Sequence, residues 1–277
     1  MKADLQSHAA ATAAHGTIDG TAYAVIGTGS PVVLIHGVGM AQEVWAPQVA
    51  YLARTHQVIV YDMLGHGASQ DPRTDASLAD YAQQLADLLT HLQIEQAAVV
   101  GHSMGALVAI EFALRHPTST LCIVALNAVF MRSPDQVAAV LTRLQALHAS
   151  GAGSTLDASI ARWFGDPVPK DLQAHAAMVR NLLTQVHPQG YAIAYGIFAR
   201  ADAMHRDALA QLRLPALFAT GKHDPNSTPA MSLAMAQRAP QGTYTCLDRA
   251  RHMMTLTSAD TVNQCLEDFL ATHAPSD

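Results

Sequence analysis

The chain has 277 residues, of which half are hydrophobic and 14% are charged, so it suits one large domain or a core with an inserted subdomain. The formal net charge of −6 gives no basis for binding nucleic acid or an anionic membrane surface, and no apolar run of about 18 residues predicts a membrane span. The three cysteines are far apart and odd in number, which favours free thiols in a reducing cytoplasm over a disulfide framework.

The first residues lack the charged-then-apolar pattern of a signal peptide, and residues 1–16 are predicted to form a weakly ordered tail. Strands and helices then alternate along the chain. Apolar runs predict strands over residues 21–26, 32–35, 57–62, 97–101 and 121–126, and amphipathic runs predict helices over residues 43–54, 77–92 and 104–115. This alternation predicts an α/β fold with a mostly parallel sheet that is covered on both faces.

Between residues 130 and 206 the strand pattern stops and the sequence becomes helical in character. An insertion of this size predicts a helical cap that excludes water and shapes the substrate pocket. The core is then formed by residues 17–129 and 207–277. In its second part, a strand over 214–221, a helix opening near Pro229, a strand over 242–247 and a helix over 258–270 restore the alternation.

The turn between the strand at 97–101 and the helix at 104–115 has the sequence Gly-His-Ser-Met-Gly. A Gly-X-Ser-X-Gly turn in this context is typical of a nucleophile elbow, where glycines avoid a clash with the neighbouring strand and helix. The turn lifts the Ser103 hydroxyl above the sheet and leaves the backbone N–H of Met104 free to bind an oxyanion. We therefore predict that Ser103 is a nucleophile.

A serine hydroxyl is a poor nucleophile at neutral pH, so Ser103 needs a base and the base needs an orienting acid. In α/β folds that carry a nucleophile elbow, the order of the three residues along the chain is Ser, then Asp or Glu, then His. Asp224 lies on the loop after the strand at 214–221, and His252 follows the strand at 242–247. Their order and context predict a triad of Ser103, Asp224 and His252.

The early strand at 32–35 leads into His36-Gly37-Val38-Gly39-Met40. A His-Gly turn at this place supplies the second oxyanion N–H in this fold, and we assign that donor to Val38, beside Met104. A dinucleotide-binding glycine loop is the competing interpretation. It fails because the sixth position of that fingerprint is Gln42 and not glycine.

Taken together, these motifs resemble the α/β-hydrolase superfamily over about residues 18–271. Within it the chain looks most like the 3-oxoadipate enol-lactonase branch and its esterase relatives. The resemblance implies an eight-stranded, mostly parallel sheet with helices on both faces and an inserted helical cap. The matching segments are HGVG (36–39), DMLGHGAS (62–69), GHSMG (101–105), IARWF (160–164), DPNSTPAM (224–231) and RHM (251–253).

Large side chains in the predicted cap and residues next to the catalytic loops are candidates for the substrate pocket, although aromatic residues at helical spacing also form helical cores. The candidates are His36, Gly37, Phe130, Met131, Trp163, Tyr195, Phe198 and Met253. For His36, bracing of the backbone is the favoured alternative role. Arg132, Arg162 and Arg200 are candidates for binding a substrate carboxylate, with bracing of the cap as their alternative role. The lactonase resemblance implies a carboxylate-bearing lactone and favours one of these arginines.

The leading prediction is hydrolysis of a small carboxylic ester or lactone through an acyl-enzyme, with no metal or organic cofactor. One alternative is a carbon–carbon bond hydrolase of a ring-cleavage diketone, although such relatives usually carry Asn where this chain has His102. An alternative of another class is a small-molecule receptor on a hydrolase scaffold. The expected partner is a small-molecule substrate, and no binding to nucleic acid or membranes is expected. The expected location of the protein is the cytoplasm. The resemblance also allows a homodimer.

Overall fold

The computed structural model describes residues 14–274 and contains one eight-stranded sheet in the order β1-β2-β4-β3-β5-β6-β7-β8. β2 runs antiparallel to both of its neighbours, and all other adjacent strands are parallel. The prediction of a mostly parallel sheet is therefore confirmed. The strands are β1 (Ala14–Ile18), β2 (Thr21–Ile26), β3 (Pro31–Ile35), β4 (Gln57–Tyr61), β5 (Ala97–His102), β6 (Thr120–Leu126), β7 (Ala216–Gly221) and β8 (Gly242–Leu247).

The central strands are continuous apolar runs because both of their faces are covered. All six residues of β5 are buried, and so are all six residues of β7. On one side of the sheet, α2 and α3 pack together and α3 lies on β5 and β6. On the other side, α1 contacts α10, and α10 reaches β6. The carboxyl ends of β5, β7 and β8 therefore meet at one edge, where the predicted triad residues follow.

The helices are α1 (Ala46–Leu52), α2 (Leu78–His91), α3 (Met104–Arg115), α4 (Pro134–Ser150), α5 (Leu156–Phe164), α6 (Gln173–Gln185), α7 (Pro188–Arg200), α8 (Pro229–Ala236), α9 (Met254–Thr257) and α10 (Ala259–His273). α3 begins and ends where the sequence predicts. The helix predicted over 43–54 begins instead as a 3₁₀ turn, Gln42–Trp45, and becomes α-helical only at Ala46. Pro47 explains the late start, because proline lacks an N–H and belongs in the first turn of a helix.

Helices α4 to α7 form an insertion between β6 and β7, here called the helical insertion (residues 134–200). A capping box starts it, in which the Ser133 N–H donates to the Gln136 side chain (3.0 Å) and the Gln136 N–H donates to Ser133 Oγ (3.3 Å). The two chain segments that enter and leave the insertion are joined, since the Met131 N–H donates to the Asp202 carbonyl at 2.8 Å. The insertion is therefore tied at its base.

Of the predicted tail, residues 1–13 lie outside the described residues, whereas residues 14–16 belong to β1 and pair with β2. The tail prediction was therefore wrong for its last three residues, because backbone pairing with β2 orders them. Within residues 14–274, no helix combines the length and apolar character needed to span a bilayer.

Candidate active site

The turn between β5 and α3 holds Ser103 in a backbone conformation that L residues rarely adopt, with φ 56° and ψ −114°. Two neighbours make this sharp turn feasible. A side chain on Gly101 would collide with the Gly105 carbonyl, and one on Gly105 would collide with the carbonyls of Ile35 and His36. The Ser103 N–H is fixed by the Leu126 carbonyl of β6 at 2.8 Å. The predicted nucleophile elbow therefore has the required local geometry.

Asp224 and His252 meet on the same edge of the sheet. Nδ1 of His252 lies 2.7 Å from Oδ2 of Asp224, and both side chains are buried. An ionised carboxylate only accepts hydrogen bonds, so the proton on Nδ1 is donated to Asp224 and Nε2 of His252 is left as an acceptor. Ser103 and His252 line one cavity. Neither the Ser103 hydroxyl nor His252 Nε2 has a hydrogen-bond partner among residues 14–274, so the predicted nucleophile and the predicted base are not bonded to each other or to other groups there.

The carboxylate of Asp224 is held by three donors. Oδ2 accepts from His252 and from Asn127 Nδ2 at 2.8 Å, and Oδ1 accepts from the Asn226 N–H at 2.8 Å. Burial by itself would raise the pKa of Asp224, but the charge of His252 and these hydrogen bonds lower it below its usual value. Asp224 is therefore ionised at neutral pH and can stabilise a protonated His252.

Asn127 is a site residue that our sequence reasoning missed. It follows β6 directly, is fully buried and has a φ of 52°. Asparagine is among the few residues that tolerate this left-handed conformation, which aims its side chain at the neighbouring strand end. A polar residue just after a central apolar strand was the available signal.

The predicted oxyanion loop, residues 36–40, lies against the elbow, because a Cβ on Gly37 would sit 3.2 Å from the Ser103 Cβ. The Gly37 carbonyl accepts from His36 Nδ1 at 2.8 Å and from the Met40 N–H at 3.1 Å. In a trans peptide the following N–H points the opposite way, so these bonds fix the direction of the Val38 N–H. Among residues 14–274, neither the Val38 nor the Met104 N–H donates a hydrogen bond, so both are available to a ligand.

Two buried histidines brace this loop. His36 Nε2 accepts from the Met63 N–H at 2.9 Å, and His66 Nε2 accepts from the Gly39 N–H at 2.9 Å. Burial lowers the pKa of His36 to about 4 and that of His66 to about 3, so both rings stay neutral and keep an acceptor nitrogen. His36 was a candidate for the pocket, with bracing of the backbone as its favoured alternative. The structure gives it the bracing role, because both ring nitrogens bond backbone groups of Gly37 and Met63.

His102, next to Ser103, holds the loop of the predicted base. Its Nε2 donates to the His252 carbonyl at 2.8 Å, and burial with the nearby His252 charge lowers its pKa to about 3. The His102 and His252 ring centroids are 5.1 Å apart. On its other side, His252 stacks against Trp163 of α5, with centroids 5.7 Å apart and planes inclined by 27°. The helical insertion therefore contacts the predicted base directly.

The cavity above Ser103 encloses about 170 Å³ between the sheet edge and the helical insertion. Of the predicted pocket residues, Gly37, Trp163, Tyr195, Phe198 and Met253 line it. Phe130 and Met131 do not, and their prediction was wrong. Phe130 is buried in the core beneath the Arg238 guanidinium, and Met131 is 43% exposed on the outer surface. The reason is that the chain turns outward at residue 131, where φ is 51°.

Three arginines line the cavity, and they differ from the predicted set. Arg132 and Arg162 are among them, whereas Arg200 lies outside and donates to the Gly196 carbonyl of its own helix at 2.9 Å. Arg143 of α4 was missed. Gln136, Ala139 and Arg143 all line the cavity and follow helical spacing, but a polar stripe of this kind usually indicates a solvated face. Within the described part of the chain, no cluster of His, Cys, Asp or Glu has the arrangement of a metal site.

Comparisons with known proteins agree with this geometry. The model of the α/β-hydrolase fold family matches residues 30–259. The chain is 35% identical over 246 residues to the (E)-2-((N-methylformamido)methylene)succinate hydrolase of Acinetobacter baylyi, covering 89% of this chain and 92% of that protein. It is 30% identical over 253 residues to the putative carbamate hydrolase RutD of Escherichia coli, covering 87% and 91%. The enol-lactonase from Burkholderia xenovorans superposes with a TM-score of 0.84 at 28% identity, over 93% of this chain and 99% of that chain.

Proposed function

Because this chain belongs to the α/β-hydrolase family, we propose that it hydrolyses a small carboxylic ester or lactone through a serine acyl-enzyme. The observation that carries the proposal is the joint placement of an elbow serine and an Asp-bound histidine in one cavity. Ser103 sits on the strained turn, and His252 Nδ1 is bound to Asp224 at 2.7 Å, which leaves Nε2 without a partner among the described residues. This arrangement supplies the side chains needed for a nucleophile, a base and an orienting acid.

In the proposed mechanism, His252 Nε2 takes the Ser103 proton as the serine oxygen attacks the substrate carbonyl carbon. The ionised Asp224 stabilises the imidazolium that forms. The Val38 and Met104 N–H groups bind the oxyanion, and each such donor is typically worth about 3 kcal/mol in the transition state. The imidazolium then protonates the leaving alkoxide, which yields the acyl-enzyme. A water molecule, deprotonated by His252, releases the acid and restores Ser103.

The relative from Acinetobacter baylyi supports a second candidate function. Its name describes a succinate that carries an N-methylformamido group, and its identity to this chain extends over 246 residues. The same triad chemistry applies to an N-acyl bond, with an amine in place of an alcohol as the leaving group. The second candidate is therefore hydrolysis of an N-acyl bond in a small carboxylate compound.

A time course of product release tests the proposal. The assay compares wild type with Ser103→Ala and with the surface control Ser154→Ala. The substrates are 4-nitrophenyl acetate, 4-nitrophenyl butyrate, a panel of small lactones and a panel of N-formyl amines. We expect wild type and Ser154→Ala to turn over at least one ester or lactone, and Ser103→Ala to lose on the order of 10³-fold or more in rate. Undiminished turnover by Ser103→Ala would refute the serine mechanism. Turnover of the N-formyl panel alone would select the second candidate.

A further inference from the structure

Two cationic side chains of the helical insertion enter the cavity from different helices. Arg143 lies on α4 and Arg162 on α5, and both are half-buried. Arg143 Nε donates to the Tyr195 hydroxyl at 3.1 Å, and the terminal nitrogens of Arg162 donate to Ser159 Oγ at 3.1 Å and to the Ala158 carbonyl at 3.3 Å. Arg162 Nε is buried without any hydrogen-bond partner among residues 14–274. Each guanidinium therefore retains unused donors.

Neither cation forms an ion pair within residues 14–274, and the nearest charge that favours the Arg162 cation is the more distant Asp224 carboxylate. Among the described residues, no carboxylate lies within 4.0 Å of either guanidinium, and the cavity lining contains no Asp or Glu. Burial lowers the pKa of Arg162, and the charge of Arg143 lowers it further. Two like charges in a partly desolvated cavity repel each other, and an anion between them would remove that cost.

The neighbouring hydroxyls complete a set of donors. Tyr195 Oη and Ser159 Oγ accept from the arginines, so their own protons are free to be donated to another acceptor. Forked guanidinium donors together with hydroxyl donors match the two oxygens of a carboxylate, which accepts bidentate hydrogen bonds.

The other arginine of the cavity has a different role. The Arg132 side chain is only 4% exposed, lies 3.6 Å from Asp202, and reaches the Phe198 and Ala199 carbonyls at 3.4 Å. It thereby joins the start of the helical insertion to the end of α7. Its charge is already compensated, so it is a structural residue.

We infer that Arg143 and Arg162, with Tyr195 and Ser159, form an anion subsite for a substrate carboxylate that is separate from the bond attacked by Ser103. The subsite narrows the substrate class to acyl compounds that carry a carboxylate remote from the scissile group, such as half-esters or lactones of dicarboxylic acids. The position of the attacked bond rests on the proposed function, whereas the binding of the carboxylate does not.

Calorimetric titration of the full chain tests the subsite without requiring turnover. Ser103→Ala protein is titrated at physiological ionic strength with succinate, glutarate and adipate, with their uncharged diamides, and with inorganic phosphate. Arg143→Gln and Arg162→Gln are added to this background, with Tyr195→Phe as a milder variant. Arg200→Gln is the matched control, since Arg200 lies on the helical insertion outside the cavity. Thermal unfolding of every variant checks that it is folded.

We expect at least one dicarboxylate to bind more tightly than its diamide, and each cavity arginine variant to weaken that binding by about tenfold to a hundredfold. Tyr195→Phe should weaken it less, and Arg200→Gln should not change it. Equal affinity for acid and diamide, or unchanged affinity in both folded arginine variants, would overturn the inference. Tighter binding of phosphate than of any dicarboxylate would overturn the carboxylate assignment. If dicarboxylate binding depends on the arginines but turnover does not depend on Ser103, only the proposed function fails.

Discussion

Replacing Ser103 by glycine should make the protein more stable than replacing it by alanine. Both variants lack the hydroxyl, so the comparison isolates the backbone. Ser103 holds φ at 56° and ψ at −114°, a region open to glycine but strained for any residue with a Cβ. The elbow keeps this conformation because it is anchored from two sides, by the Ser103 N–H bond to Leu126 and by the start of α3.

The magnitude follows from two opposing terms. A residue held in a sparsely populated backbone region costs about 1–3 kcal/mol, and glycine relieves that cost. Glycine also lowers the free energy of unfolding by about 0.5–1 kcal/mol relative to alanine, because it gives the unfolded chain more conformational entropy. The difference leaves Ser103→Gly more stable than Ser103→Ala by about 1 kcal/mol, which corresponds to about 2–4 °C in Tm for a large domain.

Urea unfolding at neutral pH, followed by circular dichroism, measures the free energy of unfolding of both variants. The control is Ala138→Gly on the exposed side of α4, where glycine should be the less stable residue by about 1 kcal/mol. The alanine-to-glycine effect should therefore have opposite signs at positions 103 and 138. A destabilising effect of the same sign at both positions would refute the argument that the elbow is strained.

Three further outcomes follow from the structure. Gly105→Ala should destabilise the fold by about 1–3 kcal/mol, because the new methyl group collides with the backbone carbonyls of Ile35 and His36 at the end of β3. Urea unfolding measures the change, and a free energy of unfolding equal to that of wild type would contradict the prediction. Asn127→Ala removes a hydrogen bond to the Asp224 carboxylate, so it should raise the pKa of Asp224 and lower kcat/KM by about tenfold or more; an unchanged kcat/KM would exclude this role. The hydrogen bond from His205 lowers the pKa of Glu111 to about 2. Since this folded-state pKa lies below the unfolded value, wild type should exceed Glu111→Gln in stability at neutral pH, and the advantage should fade as pH drops from about 4.5 towards 2. Unfolding curves at pH 7 and pH 3 compare the two, and a constant difference would exclude the mechanism.

The sequence allowed every strand except β1, the core helices except α9 and the three triad candidates to be predicted, because each depends on a local pattern. The turn at residues 101–105 lies between an unbroken apolar strand and a helix, and the bounds of α3 were predicted without error. Asp224 and His252 could be selected because the ends of parallel strands meet at one edge of a sheet.

The missed residues depend on contacts between distant segments. Asn127 reaches Asp224 across 97 positions of sequence, and Arg143 reaches Tyr195 across 52. Asn127 is marked locally only by its place after an apolar strand, and nothing in the sequence near either residue identifies its distant partner. His36 shows the same limit: its place in the predicted oxyanion loop was recognised, but the sequence left its role open between bracing and the pocket, and the direction of its ring is set by Met63 on a neighbouring loop.

The cavity is lined by residues of the core and by residues of the helical insertion, and this division affects how substrate preference can change among related proteins. Ser103, Asp224 and His252 all follow core strands, whereas Arg143 and Arg162 belong to one uninterrupted stretch between β6 and β7. The ends of that stretch meet at the hydrogen bond between Met131 and Asp202. Under the proposed function, sequence changes confined to this one stretch would alter which molecules are accepted and leave the three predicted catalytic residues in place.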